Sequence, residues 1–151
     1  MMNSQHDQAT AIAQLQSELL DIQWDGQQIL EINSLSPGKI QVLNRSVSVL
    51  VPTTIDATIP ADTRLYAEQT KQFMAERFGG AIAIEQEGLY ISPQWGMIRE
   101  TTIAVRSYTT TASLKQHFPM LLGFVRYLQQ ELRQETMGVE MDGKLLLIQF
   151  E

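Results

Sequence analysis

The amino-acid sequence predicts an α+β domain in which helices cover one face of an antiparallel sheet. Short runs with alternating apolar and polar residues, typical of strands, recur along the chain. Two longer segments, near residues 62–78 and 113–135, carry apolar residues at helical spacing. From residue 46 onward these segments follow the order strand, helix, strand, strand, helix, strand. This order predicts an antiparallel sheet with both helices on one side.

Composition narrows the functional classes. A chain of 151 residues with 44% hydrophobic and 19% charged residues is typical of one globular domain. Its net charge of −6 disfavours nucleic-acid binding, which needs clustered Lys and Arg. The absence of cysteine excludes disulfides and thiolate metal sites. No signal peptide and no membrane-spanning apolar run is visible, so we expect a cytoplasmic protein that binds neither nucleic acid nor membrane.

The N-terminal part is predicted to flank the core. Residues 1–8 are polar and are expected to form a mobile tail, and residues 9–45 a helix and hairpin extension of the core at 46–151. The helix begins near Thr10 and ends near Trp24, because apolar residues recur every three or four positions between them. It either covers the core or docks a partner chain. The pair Pro37-Gly38 predicts the turn of the hairpin.

The first core elements have clear boundaries. A strand over 46–51 is expected to end at Pro52, which cannot donate to a strand ladder. The next helix is predicted from Asp62, as N-cap, to Phe78. Gly79 lies where a left-handed C-cap is needed, so the helix should stop there.

Two strands over 81–91 and 97–108 are predicted to form a hairpin around a turn at 93–96. Gly88 lies inside the first strand. It indicates either a β-bulge or a point at which the strand ends and restarts.

The last segment predicts a long helix and a second hairpin. Ser113 and Gln116 fit a capping box, Pro119 lies inside the helical pattern, and the helix should end near Glu135. The run 120–125 is apolar throughout, which fits either a buried helix or a subunit contact. The pair Asp142-Gly143 predicts a type I′ turn, so the final hairpin is expected to lengthen one edge of the sheet.

Taken together, the core elements predict a ferredoxin-like β-α-β-β-α-β arrangement with a four-stranded sheet. The sequence also resembles small uncharacterised bacterial proteins with a ferredoxin-like domain. The resemblance is carried by Phe78-Gly79-Gly80, Gly88-Leu89-Tyr90, Glu100 and Gln134-Glu135, with Tyr90 at a position where tryptophan is expected. It implies the fold and no particular activity.

Polar residues near the central hairpin are the candidate site. Glu85, Glu87 and Glu100 would converge if the two middle strands pair suitably, and would then act as acid and base or hold a divalent cation. The alternative is that all three are solvated strand residues. His6 and His117 are far apart in sequence and form no metal-ligand pair. We therefore predict no catalytic residues, no metal site and no cofactor.

Aromatic and arginine residues at the hairpin tip suggest a surface for contact. Tyr90, Trp95, Arg99 and Arg106 fit either a small pocket or a protein interface, where such residues are enriched. The main prediction is a non-catalytic protein-interaction, assembly or regulatory subunit that binds a protein partner or itself as a homo-oligomer. The alternative is a small-molecule-binding domain or enzyme. Its polar pocket would contain Glu85, Tyr90, Glu100 and Arg106, at least two of which should converge.

Overall fold

The computed structural model describes residue 10 and residues 28–32, 38–56 and 58–151. The predicted tail and, apart from Thr10, the predicted N-terminal helix lie outside these residues. Two strands, β1 (Gln28–Ile32) and β2 (Gly38–Val42), pair in antiparallel fashion, which confirms the first hairpin. Most of its turn also lies outside the described residues.

One five-stranded antiparallel sheet forms the body of the domain. It contains β3 (Arg45–Pro52), β6 (Ile82–Ser92), β7 (Gly96–Thr109), β8 (Met137–Met141) and β9 (Lys144–Ile148), in the spatial order β6-β7-β3-β8-β9. Two short strands between β3 and the first helix, β4 (Thr54–Ile55) and β5 (Ile59–Pro60), pair with each other. The predicted α+β class is confirmed, with β9 as a fifth strand at one edge.

Two helices, α1 (Arg64–Phe78) and α2 (Thr111–Glu131), pack on one face of the sheet. The three valines of β3 point into this interface and are fully buried. Within the described residues, neither helix is long and apolar enough to cross a bilayer. The core consists of side chains from both helices and from strands β3, β7 and β8: Val47, Val49, Val51, Met74, Phe78, Val105, Leu114, Leu121, Val125, Leu128, Leu132, Met137 and Val139.

Helix α1 ends as predicted and starts slightly later than predicted. Gly79 has φ 96°, and its N–H donates to the carbonyl of Ala75 at 2.8 Å, so it forms a left-handed C-cap. At the other end the cap position is occupied by Thr63, whose side chain makes no capping bond. Asp62 still accepts the backbone N–H of Arg64 at 3.1 Å, which explains the predicted start.

Helix α2 is capped by a different residue from the one predicted. The hydroxyl oxygen of Thr110 accepts the backbone N–H of Ser113 at 3.1 Å, so the helix begins three residues before the expected capping box. The helix ends at Glu131 rather than near Glu135, and Pro119 lies inside it.

Strand β6 runs through Gly88 without interruption. Each residue from Ile82 to Ser92 faces one residue of β7, so neither the predicted bulge nor the predicted break occurs. The β8–β9 turn at Asp142 and Gly143 has φ values of 51° and 79°, as a type I′ turn requires.

Candidate functional site

The sheet face turned away from the helices carries the candidate site, and we call it the open face. Because successive strand residues point to opposite faces, burial of Val49 against the helices places Ser48 and Leu50 on the open face. Residues directly opposite each other in a ladder share a face. The registers therefore place Ala104 beside Leu50, and Gly138 on the other side of it.

A concavity of about 610 Å³ lies on the open face, and we call it the site concavity. This volume is within the range typical of small-molecule sites. Strands from both halves of the sheet and the segment that follows α2 line it: Leu50, Pro52, Tyr90, Glu100, Thr102, Gln134, Glu135, Thr136, Gly138, Leu145 and Leu147.

The part of the site concavity that lies over β3, β8 and β9 is apolar. Leu50 faces Gly138 directly, and Gly138 in turn faces Leu147 on β9. Leu147 and its neighbour Leu145 are exposed large aliphatic side chains. A ligand in this part of the site would bury apolar surface against aliphatic groups.

The remaining part is polar and acidic. Glu100 and Glu135 are exposed, and neither carboxylate has a hydrogen-bond or ion-pair partner in the part of the chain that the structure describes. Tyr90 contributes an aromatic ring that is 48% exposed. The lining contains no Lys, Arg or His. The site concavity therefore favours a ligand with a positive charge.

Side-chain hydrogen bonds hold the segment after α2 in place. Gln134 is buried, and its Nε2 donates to the carbonyls of Thr54 at 3.0 Å and Leu132 at 3.1 Å. Thr136 accepts from the side-chain amide of Gln149 at 3.2 Å. Glu135 lies between these two anchored residues, so its backbone position is fixed.

The structure brings together two of the four residues predicted for a polar pocket. Tyr90 and Glu100 both line the site concavity. Glu85 does not, because it lies opposite Ile103, whose side chain packs against the core on the helix-facing side. The three glutamates therefore do not converge, which agrees with the alternative that they are solvated strand residues.

Glu87 and Arg99 also lie on the helix-facing side of the hairpin. The Nη1 atom of Arg99 donates to Oε1 of Glu87 at 2.7 Å, and both side chains are exposed. Arg99 is thus one residue from Glu100 in sequence and on the opposite face of the sheet. Of the two alternatives for these residues, a pocket shared by Arg99 and Tyr90 therefore does not form, and the protein interface stays a prediction.

Arg106 lies on the open face but lines a different concavity, of about 530 Å³, together with Tyr108. Its Nε donates to the hydroxyl of Ser48 at 3.1 Å, and its Nη2 lies 3.9 Å from a carboxylate oxygen of Glu140. Trp95 is 77% exposed in the β6–β7 turn and lines neither concavity. The predicted homo-oligomer or protein partner stays a prediction.

Other candidates from the sequence have structural roles. His117 is half-buried, and its ring contacts Phe78 edge to face at 5.9 Å between centroids. Within the run 120–125, Leu121 and Val125 are core residues, while Met120 is exposed. Among the described residues no His, Asp or Glu side chains cluster in a way that could hold a metal ion.

Sequence reasoning missed most of the apolar lining. Gly138 offered one signal, because a glycine inside a strand often marks close approach by a ligand or another backbone. Gln134 and Glu135 were noted only as part of a family pattern. Their role depends on the return of the chain from α2 to β8, which no local pattern shows.

Comparisons with known proteins give a match in structure only. No family model and no curated protein matches the chain. Two solved structures do: a phage SAM lyase in complex with S-methyl-5′-thioadenosine, and a phage SAM lyase in the apo state. Both have a TM-score of 0.53 and 17% sequence identity. The matches cover 71% and 72% of this chain and 90% of each matched chain.

These matches correct the main functional prediction. A non-catalytic interaction or assembly subunit was expected, but the matched structures are those of an enzyme, one of them with a small molecule bound. The alternative prediction, a small-molecule-binding domain or enzyme, agrees better with these matches and with the convergence of Tyr90 and Glu100.

Proposed function

We propose that this chain is an enzyme that binds S-adenosylmethionine in the site concavity and cleaves it to S-methyl-5′-thioadenosine. One observation carries the proposal: two carboxylates without partners and an aromatic ring line a ligand-sized concavity with an apolar part. The matched SAM lyase structures supply the substrate class.

The charge of the substrate suits this lining. S-adenosylmethionine carries a permanent positive charge on its sulfonium, a second one on its ammonium group and one negative charge on its carboxylate, so its net charge is positive. The carboxylates of Glu100 and Glu135 attract both positive charges and can accept hydrogen bonds from the ammonium group, and the ring face of Tyr90 attracts cations. S-methyl-5′-thioadenosine is uncharged at sulfur, so the same lining holds it less tightly and favours its release.

The proposed reaction needs no co-reactant. The bond between sulfur and the aminobutyrate chain breaks, and both electrons stay on sulfur, which becomes a neutral thioether. The carboxylate of the aminobutyrate group attacks the carbon atom that was bonded to sulfur. This attack forms a lactone without water or an added base. The protein then contributes chiefly by holding the substrate in the conformation for this attack.

A direct test is incubation of the protein with S-adenosylmethionine and chromatography of the products. We expect S-methyl-5′-thioadenosine and a lactone. Glu100→Gln should lower kcat/KM about tenfold or more, because it removes one charge-assisted contact. Glu85→Gln, on the opposite face of the same hairpin, is the matched control and should leave kcat/KM unchanged.

Two outcomes would contradict the proposal. One is the absence of turnover with S-adenosylmethionine at millimolar concentration. The other is an equal effect of Glu85→Gln and Glu100→Gln on kcat/KM. If the second product is an unsaturated amino acid and not the lactone, the intramolecular attack does not occur. A protein base then removes a proton from the substrate instead.

We also propose that the topology is ferredoxin-like with one added strand. In the unit β3-α1-β6 the two strands are not neighbours in the sheet, because β7 lies between them. In the unit β7-α2-β8 the strand β3 lies between β7 and β8 in the same way. Two such split β-α-β units support this assignment. Strand β9 lies beyond β8 as the additional edge strand.

A further inference from the structure

A concavity of about 530 Å³ lies beside the start of β6, and we call it the second concavity. Its described lining residues come from or adjoin β2, α1, β6 and β7: Gln41, Leu43, Phe78, Gly79, Gly80, Ala81, Ile82, Arg106 and Tyr108. None of them lines the site concavity. Arg106 and Glu100 are six residues apart along β7, which is roughly 20 Å at about 3.4 Å per residue. The two concavities are therefore separate places on the sheet.

Much of the second concavity is apolar. Leu43, Ile82 and Tyr108 are large side chains, and each is more than a third exposed. Tyr108 also presents an aromatic ring, against which a flat ring can stack. A ligand with a flat apolar body would cover this surface, and removal of apolar surface from water favours binding.

Arg106 is the only charged residue among the described lining residues of the second concavity. Its Nε donates to Ser48, while its Nη2 lies 3.9 Å from Glu140, which is too far for a hydrogen bond. Nη1 has no hydrogen-bond or ion-pair partner in the described ranges. The Arg106 and Glu140 side chains are 32% and 36% exposed, so solvent weakens their attraction. The guanidinium therefore keeps donors and charge for an anionic ligand.

The surrounding charges determine how such a ligand would lie. The C-terminal end of a helix is partly negative, and α1 ends beside Gly79. An anionic group is therefore favoured beside Arg106 and away from this helix end. The β6–β7 ladder places Ile82 opposite Arg106, and the same register continued by two positions places Gly80 opposite Tyr108. The apolar body of the ligand would then lie beside Gly80 and Tyr108.

Gly80 leaves this part of the second concavity open. It does not have a positive φ, and a Cβ built on it meets nothing within 4 Å. A left-handed conformation or close packing therefore does not explain the glycine. The hydroxyl of Ser107 donates to the carbonyl of Gly80 at 2.6 Å, which holds this backbone against β7. A large side chain at position 80 would occupy the space beside Tyr108.

We infer that the second concavity binds an aromatic carboxylate, with the carboxylate on the guanidinium of Arg106 and the flat ring beside Tyr108 and Gly80. A carboxylate fits because the guanidinium presents its N–H donors in a planar fork. This charge preference is the opposite of that of the site concavity, whose lining contains two carboxylates and no cation. The second concavity is thus a further binding site, independent of the proposed function.

The test uses three naphthalene compounds of similar size and different charge: naphthoate, naphthalenemethanol and protonated naphthylmethylamine. Each is titrated into isotope-labelled protein, and the backbone amide signals are followed by NMR. Naphthoate should shift the signals of Gly79 and Gly80 and leave that of Gly138, in the site concavity, unchanged. Its Kd should be about tenfold lower than that of the alcohol, because it adds a charge-assisted contact, and the amine should bind most weakly.

Arg106→Gln removes the cation and keeps a polar side chain. It should raise the Kd of naphthoate about tenfold, to the value for the alcohol, because the charge-assisted contact is lost. The Kd of the alcohol should stay unchanged, which shows that the variant folds and keeps its apolar wall.

Gly80→Leu fills the space beside Tyr108 and should raise the Kd of both naphthoate and the alcohol about tenfold. Gly123→Leu is the matched control, at an exposed glycine of α2 where an added Cβ also meets nothing within 4 Å. It should change neither Kd.

Three results would overturn the inference. These are no shift of the Gly79 and Gly80 signals at millimolar naphthoate, equal affinity for naphthoate and naphthylmethylamine, and an unchanged Kd for naphthoate in Arg106→Gln. A shift confined to Gly138 would overturn it as well, because the compound would then occupy the site concavity. Since the two concavities share no lining residue, the proposed function stands or fails separately, by turnover of S-adenosylmethionine.

Discussion

Gly88 lies directly opposite Glu100 in the β6–β7 ladder. An added Cβ at Gly88 would have a single neighbour within 4 Å, the backbone oxygen of Glu100 at 3.8 Å. No cross-strand side chain therefore covers the Glu100 carboxylate on this side. The glycine leaves that carboxylate accessible from β6, on the face that carries the site concavity.

Filling this space should impair binding without harming the fold. Gly88→Val introduces a side chain beside Glu100 at a position that needs no positive φ, so we expect the free energy of unfolding to stay equal or rise by up to about 1 kcal/mol. The KM for S-adenosylmethionine should rise severalfold in turnover assays. Ala83→Val, on the other face of the same strand, is the control, and an equal rise of KM in it would contradict the prediction.

The ion pair between Arg45 and Asp142 should make stability depend on pH. Burial is the largest single influence on the pKa of Asp142 and raises it, but several favourable contacts together outweigh burial. These are hydrogen bonds from the Ser46 N–H and from Arg45, and the charges of Arg45 and Lys144, so the net effect lowers the pKa.

A lowered folded-state pKa stabilises the fold above the unfolded value of about 3.9, and this contribution disappears as pH falls through the folded-state pKa. The Asp142→Asn variant should therefore have a lower free energy of unfolding than the native protein at neutral pH. This difference between the two proteins should become smaller in acid. Asparagine suits the type I′ turn, so the turn itself is preserved. Urea denaturation across this pH range measures both effects.

Asp62→Asn is the matched control for the pH experiment. The hydrogen bond from Arg64 lowers the pKa of Asp62 to about 2, yet both side chains are exposed and solvent screens the pair. Its substitution should change stability little at any pH. Equal pH dependence in the two variants would show that the partly buried contact between Arg45 and Asp142 has no special role.

The cap of α2 gives a third prediction. Thr110→Ala removes the acceptor of the Ser113 N–H and should cost about 1 kcal/mol in the free energy of unfolding. Ser113→Ala should cost far less, because the Ser113 side chain does not cap the helix. Thermal or urea unfolding measures the stability of the two variants. If Ser113→Ala is less stable than Thr110→Ala, Ser113 caps the helix as the sequence predicts.

The hairpin tip tests the predicted self-association. Leu89, Ile91, Trp95 and Met97 are large apolar side chains with exposed fractions of 53–77%. If the chain is a homo-oligomer, we expect the Trp95→Ser variant to shift toward the monomer in light scattering. Leu65→Ser, on α1, is the control. A native protein that is monomeric at high concentration would exclude self-association.

Local signals predicted much of the fold. The roles of Gly79 as a helix C-cap and Gly143 as a turn residue were predicted correctly. Each adopts a left-handed conformation that glycine favours, and this preference does not depend on distant parts of the chain. The alternation Val47, Val49, Val51 likewise identified the buried face of β3. The cap of α2 was missed because Thr110 and Ser113 are both good capping residues, and sequence does not rank them.

The site was harder to predict because it depends on strand register. A shift of one residue moves a side chain to the other face, so Glu85 and Glu100 could be placed together only by knowing which residues pair. Register puts Glu85 opposite Ile103 and separates the two. The apolar lining needed still more, since Leu50 pairs with Gly138, and Gly138 with Leu147, only when β8 and β9 have joined the sheet.

The central position of β3 has a consequence for how the protein folds as it is synthesised. Both neighbours of β3, the strands β7 and β8, come much later in the chain. Until they emerge from the ribosome, the valines of β3 have no sheet partners and remain open to association with other chains. Such non-local pairing also predicts slow folding. The site concavity, whose lining includes residues of the β8–β9 hairpin, is then among the last features to form.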